Sequence, residues 1–169
     1  MAGGGTFLRA EKEVALIDWT FVTFDELTGA DLYDILRHRQ DVFVLEQKCF
    51  YPDIDGKDQV ARHLIGRGAH NTFLAYLRIL GPGDYYDEPA LGRVLVTPAA
   101  RGRGIARTLM QEGHARARAL YGDVPLRLNA QAYLKDFYQS VGYEIIRGPY
   151  DEDGIPHYEM LMNPAHKAA

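Results

Sequence analysis

Stretches of strand-like and helix-like hydrophobic spacing alternate along the chain, and their order sets the expected fold. Residues 14–23 read as a first strand, because Trp19, Phe21 and Val22 favour extended backbone. Thr28 is placed to cap a helix, with Asp31 three residues on as the return half of a capping box. Leu32, Ile35, Leu36, Arg39 and Phe43 then recur at helical spacing, so the predicted buried face carries an arginine among apolar neighbours. Residues 48–56 are irregular, punctuated by Pro52 and Gly56. Residues 63–66 and 72–80 form a predicted hairpin with its tip at 69–71, and a polar loop over 81–89 leads to a strand at 91–97 that Pro98 ends. A helix is expected over 102–121, with Ile105, Leu109, Met110 and Ala117 on its apolar side and Gly122 just past its end. A strand at 124–129, a short helix at 132–141 stopped by Gly142, and a hairpin of 143–147 with 157–162 across an acidic loop at 150–154 complete the chain. The order β-α-β-β-β-α-β-α-β-β, with hairpins among the strands, predicts an α/β (α+β) fold with a mixed central sheet flanked by helices. One domain is expected over 14–163, with tails at 1–13 and 164–169.

Composition narrows the function classes. A chain of 169 residues fits one domain and can bury a core without metal or disulfide staples. Cys49 is the single cysteine, which excludes an internal disulfide framework and fits a reducing, cytoplasmic compartment. The net charge of −4 argues against nucleic acid as a partner, and no apolar run reaches the ~18 residues of a membrane span. Met1 to Thr6 lacks the charged-then-apolar pattern of a signal peptide. His38, His63, His70, His114, His157 and His166 are scattered without metal-ligand spacing, so no metal is expected.

The stretch from Val94 to Ala106 carries the chemistry. An apolar strand runs into a turn holding Gly102 and Gly104, and a helix starts at once. Backbone N–H groups at such a helix start lack intrahelical partners and sit at the positive end of the helix dipole, which suits a pyrophosphate. Arg101, Arg103 and Arg107 add charge around it. A phosphate-binding P-loop is excluded because no Gly-Lys-Ser/Thr follows, and a dinucleotide fingerprint is excluded because Arg107 stands where its third glycine belongs.

Strand, proline and then Arg101-Gly-Arg-Gly104-Ile105-Ala106 resembles the acetyl-coenzyme A motif of the GNAT N-acetyltransferases, Gln/Arg-x-x-Gly-x-Gly/Ala. Tyr138-Gln-Ser-Val-Gly142-Tyr143 is similar to the family's later Tyr-x-x-x-Gly-Tyr/Phe mark. Gln131 stands seven residues before Tyr138 where the family usually has Asn, and that spacing, two turns of helix, puts Gln131 and Tyr138 on one face. Within the family the chain resembles the ElaA group, through residues 39–47, 51–58, His63, 137–139 and 153–157.

The resemblance implies the GNAT acyl-CoA N-acyltransferase fold, acetyl-CoA as co-substrate, and direct attack of a primary amine on the thioester. The acceptor is a small molecule or peptide, and a homodimer is left open. By the same resemblance, pantetheine lies between two splayed strands, pairing with the backbone of Val94, Leu95 and Val96. An N–H near Val96 faces the thioester oxygen, and residues 101–107 hold the pyrophosphate. Tyr138 is the implied acid for the departing thiolate. The attacking amine must be neutral, and deprotonating a lysine-like amine at pH 7 costs about 4–5 kcal/mol, so a base is useful. The strand that supplies a glutamate in some GNAT enzymes offers Arg93 here, leaving His157, Glu46 or Glu159 for that task. Two of these have structural alternatives: Glu46 as an ion pair with Arg39, and His157 as a backbone-bonded hairpin residue. Asp53, Asp55 and Asp58 read either as turn carboxylates or, with Asp151, Glu152 and Asp153, as an acidic lip for a cationic substrate near Arg39. Two other functions stay open. Arg39-Gln-Asp-Val-Phe43 matches an early run of acyl-homoserine lactone synthases, although the intact loop at 101–106 argues against that class. The third reading is a catalytically silent coenzyme A-binding regulatory module.

Overall fold

The computed structural model describes residues 16–164. The expected tail at 1–13, the start of the first strand at 14–15, and residues 165–169 of the expected tail at 164–169, His166 among them, lie outside the described residues. Strands β1 (Asp18–Thr23), β2 (Arg62–Arg67), β3 (Phe73–Leu80), β4 (Ala90–Val96), β5 (Leu126–Gln131), β6 (Glu144–Glu152) and β7 (Ile155–Met162) form one mixed sheet in the order β1-β2-β3-β4-β5-β7-β6. Helix α1 is Gly29–Arg39, α2 is Ile105–Tyr121 and α3 is the short Lys135–Ser140. All neighbouring strands are antiparallel except β4 and β5.

Alternation along the strands builds two cores. Leu64, Leu77, Leu91, Leu126 and Leu128 face Ile105, Leu109, Met110 and Ala117 of α2, whereas Ile65, Tyr76 and Leu95 turn to the other face and meet Ile35, Val42 and Phe43. Thr28 caps α1 as its sequence predicts, accepting the Asp31 N–H at 3.0 Å while Asp31 accepts the Thr28 N–H at 3.3 Å. The helix then widens into a π-helical segment, Gln40–Glu46, a rare geometry that periodicity alone does not reveal.

Three expectations change. Residues 102–104 are a turn and α2 starts at Ile105. Gln131 ends β5, and a 3-10 turn (Ala132–Leu134) separates it from α3, so Gln131 and Tyr138 do not share one helix. The acidic loop at 150–154 is mostly strand: β6 runs to Glu152, and Asp153 and Gly154, at φ 53° and 81°, make a two-residue turn into β7.

His114 gives the fold a pH signature. Burial, assisted by the nearby Arg118 charge, holds its imidazole down to about 4, and its Nε2 lies 3.2 Å from the Tyr143 hydroxyl. The unfolded chain therefore takes up this proton first, near its ordinary value of 6.5. Stability from this group is full above that pH and is lost as pH falls toward 4, by up to about 3 kcal/mol. His38 and His63, also lowered chiefly by burial, add to the same slope. Urea midpoints measured from pH 7 to 4 should fall, and His114→Gln should flatten that decline; an unchanged slope would remove His114 from the account.

Candidate active site

The site begins where the sheet opens. Parallel β4 and β5 pair only at Ala90 and Arg127, and beyond that point the strands part. The gap becomes a cleft of about 350 Å³, lined along β4 by Gly92, Arg93 and Val94 and along β5 and beyond by Asn129, Gln131, Tyr138 and His157. Thr97 donates its N–H to the Leu74 carbonyl at 2.9 Å, so the preceding peptide edge, that of Val96, turns away from β3. Its carbonyl accepts Arg101 Nε at 3.1 Å. The Leu95 side chain packs with Ile65 and Tyr76 on the other face, so Leu95 reaches the gap only through its backbone.

Beyond β4, a 3-10 turn at Pro98–Ala100 leads into the glycine loop. Gly102 and Gly104 both have φ 77°, a conformation that favours glycine, and nothing lies within 4 Å of where a Cβ would stand. Gly104 is the N-cap of α2 and supplies no side chain to its free N–H groups. A second cavity of about 240 Å³ is lined there by Arg101, Gly102, Gly104, Ile105, Ala106 and Arg107. Open N–H groups, room above the glycines and nearby guanidinium groups are the chemistry a pyrophosphate requires. The arginines are engaged: Arg101 with Glu46 at 2.8 Å, Arg103 with the Ala99 carbonyl at 3.2 Å, and Arg107 with the Ser140 hydroxyl at 2.9 Å.

Tyr138 is 7% exposed, ringed by Phe137 and Tyr143, and borders the cleft. Burial pushes its phenol well above the ordinary value, so it stays protonated at neutral pH. Its hydroxyl makes no hydrogen bond among the described residues. His157 borders the same cleft, and its Nδ1 lies 2.8 Å from the Ile155 carbonyl. A carbonyl only accepts, so Nδ1 carries a proton, and in the neutral ring the lone pair lies on Nε2, which has no hydrogen-bond partner among the described residues. The backbone bond and the cleft position, expected as alternatives, therefore occur together. Gln131 bridges to the end of the π segment, donating to Gln47 Oε1 at 3.1 Å and contacting Cys49 Sγ at 3.4 Å.

Other candidates fall elsewhere. Glu46 pairs with Arg101 rather than Arg39 and is not part of the cleft wall, because the π segment carries it toward the glycine loop at 101–104. Glu159 is held below the usual carboxylate range by its bond to Arg127, opposed by burial and reinforced by Arg147, which makes it a weak base. Arg39 is 0% exposed and binds Asp53 and Asp58, each at 2.8 Å. Arg78 binds Asp55 at 2.7 Å and Asp58 at 2.9 Å, and Arg93 binds Asp53 at 2.7 Å. Burial opposes ionisation of Asp55 and Asp58, yet their arginine partners hold both below the ordinary range. The 53–58 carboxylates thus form a partly buried ion cluster rather than an unpaired lip, and within it Asp55 also caps its turn by accepting the Lys57 N–H at 3.1 Å; Glu152 and Asp153 are the other carboxylates on the cleft wall. Arg78 and Arg93 are the partners that sequence reasoning missed, and the available signal was a charge inside each apolar strand run.

Among the described residues, no cluster of His, Cys, Asp or Glu is arranged to hold a metal, and no helix is long and apolar enough to cross a membrane. An acetyltransferase (GNAT) domain model matches residues 37–164. Protein ElaA of Escherichia coli is 40% identical over 147 residues, which cover 86% of this chain and 95% of ElaA. The crystal structure of that ElaA superposes with a TM-score of 0.81 at 38% identity, covering 87% of this chain and 99% of ElaA. An acyl-CoA N-acyltransferase from Pseudomonas aeruginosa gives a TM-score of 0.81 at 39% identity, covering 86% and 99% of the two chains. With the splayed strands and the uncapped helix start, these matches establish that the chain belongs to the GNAT acetyltransferase family, in its ElaA-like group.

Proposed function

We propose that the chain is an acetyl-CoA-dependent N-acetyltransferase that moves acetyl directly to a primary amine of a small molecule or peptide. The observation that carries this reading is the β4–β5 ladder, which ends after one pair and borders a cleft that includes Tyr138 and His157. Backbone groups of Val94 and Val96 hold the pantetheine amides, and the loop from Arg101 to Arg107 holds the pyrophosphate. The amine nitrogen gives its proton to His157 Nε2, directly or through water, and its lone pair attacks the thioester carbon. A backbone N–H of β4 stabilises the charge that develops on the thioester oxygen, a role typically worth about 10²–10³ in rate. The C–N bond forms, the C–S bond breaks, the leaving sulfur takes the Tyr138 proton, and the second proton that the nitrogen sheds on becoming an amide returns through water to the Tyr138 phenolate. The intact loop at 101–106 disfavours the lactone-synthase reading.

The test is a panel of amines and peptides assayed for thiol release and for the N-acetylated product by mass. His157→Gln should lower kcat/KM for the accepted amine about a hundredfold at neutral pH. The deficit should shrink as pH rises toward the amine's own pKa, where no base is needed. An equal loss at every pH would exclude His157 as the base.

A further inference from the structure

The register of β4 against β3 breaks next to the cleft: Gly92 opposes Arg78 and Leu95 opposes Tyr76, so Arg93 and Val94 together face Leu77. The bulge places Arg93 at φ 51°. Among the described residues, the other non-glycine residues at positive φ (Lys48, His70, Asn71 and Asp153) lie in turns and loops. A long side chain in this region is strained and persists only where its surroundings enforce it. Here they do. Arg93 Nε sits 2.7 Å from Asp53 Oδ1, an ionic contact not aligned as a hydrogen bond. Its Nη2 reaches the Asp53 carbonyl at 3.2 Å and Asp55 Oδ2 at 3.4 Å, and the guanidinium lies 5.3 Å from the Tyr51 ring centre. Asp53 is itself fixed by Arg39 from α1, and Asp55 by Arg78 from β3.

We propose that Arg93 is a positioning residue: clamped by Asp53 and Asp55, its side chain holds the left-handed bulge that turns β4 out of its ladder and presents the strand backbone to acetyl-CoA. The proposal rests on the assignment of the β4–β5 gap to acetyl-CoA. It gives the Asp53–Asp58 motif a task in the reaction, although none of its carboxylates touches a reacting atom. A clamp and a charge make different demands on the residue at 93. If Arg93 serves by holding the backbone, glycine replaces it, because glycine adopts positive φ without a clamp. If Arg93 serves by charge toward a substrate, glycine fails as alanine does.

Calorimetric titration of the full chain with acetyl-CoA, in parallel with melting temperatures, separates the two. Arg93→Ala should bind about tenfold more weakly than the unsubstituted chain, as the bulge relaxes and must be rebuilt on binding. Arg93→Gly should stay within about threefold of it. Arg93→Asn and Arg93→Gln provide a second neutral pair, of which asparagine tolerates positive φ better and should bind more tightly; this pair decides if the alanine variant does not fold. Equal losses within each pair would overturn the positioning role, as would alanine binding at full strength. An unsubstituted chain that binds no acetyl-CoA would instead refute the assignment of the gap, and the proposal with it.

Discussion

Gly104→Asp should abolish acetyl-CoA binding, with an affinity loss of about a hundredfold or more and no thermal stabilisation by the cofactor. Two effects add. Gly104 has φ 77°, and a residue with a Cβ pays about 1–2 kcal/mol there. The new carboxylate has open space around its Cβ and sits at the positive end of α2, where it competes with phosphate for the same N–H groups and repels the anion. Together these approach about 3 kcal/mol, or two decades in Kd. Gly104→Ala carries only the first effect and should lose about tenfold. If the aspartate variant binds acetyl-CoA as well as the unsubstituted chain, the loop from Arg101 to Arg107 does not hold the pyrophosphate.

Tyr138→Phe should leave acetyl-CoA affinity and melting temperature nearly unchanged while lowering kcat by about 10²–10⁴-fold. The ring is buried against Phe137 and Tyr143, and phenylalanine keeps that packing. Its hydroxyl has no hydrogen-bond partner among the described residues, so its removal strands no buried group. The raised phenol stays protonated at neutral pH and is ready to donate to the departing thiolate. Unchanged turnover would remove Tyr138 from the chemistry and leave it as a core residue.

Local signals were legible in the sequence and long-range ones were not. Thr28 and Asp31 meet within one turn of helix, so spacing alone announces their cap. Gly102 and Gly104 announce a helix start because the turn needs positive φ at both. The bonds that arrange the site join residues far apart: Arg78 to Asp55, Arg93 to Asp53, Gln131 to Gln47 and Arg101 to Glu46. Nothing in local spacing marks Arg101 rather than Arg39 as the partner of Glu46, since the π segment that redirects Glu46 has no periodic signature. The splitting of β4 from β5 was expected only through family resemblance. By contrast, the Asp153-Gly154 turn was readable, but Pro149 and the acidic residues around it mimic a loop.

The modest negative charge of the chain also takes on a different meaning. Asp53, Asp55 and Asp58 are matched by Arg39, Arg78 and Arg93 beside the cleft, so that cluster is close to neutral and the net excess of carboxylates lies elsewhere on the chain. The cleft wall is of mixed sign, with Lys57, Arg78 and Arg93 as well as Asp55, Glu152 and Asp153.

Direct transfer between two bound substrates leaves a signature in protein mass. The protein is incubated with acetyl-CoA alone, then with an accepted amine, while free thiol, acetylated amine and intact protein mass are followed together. Direct transfer gives an unchanged protein mass without amine, and equimolar thiol and N-acetyl product once amine is added. Acetylated protein formed before the amine arrives, above all on Cys49 in the cleft wall, would contradict it, as would acetyl-CoA binding with no thiol released for any amine tested.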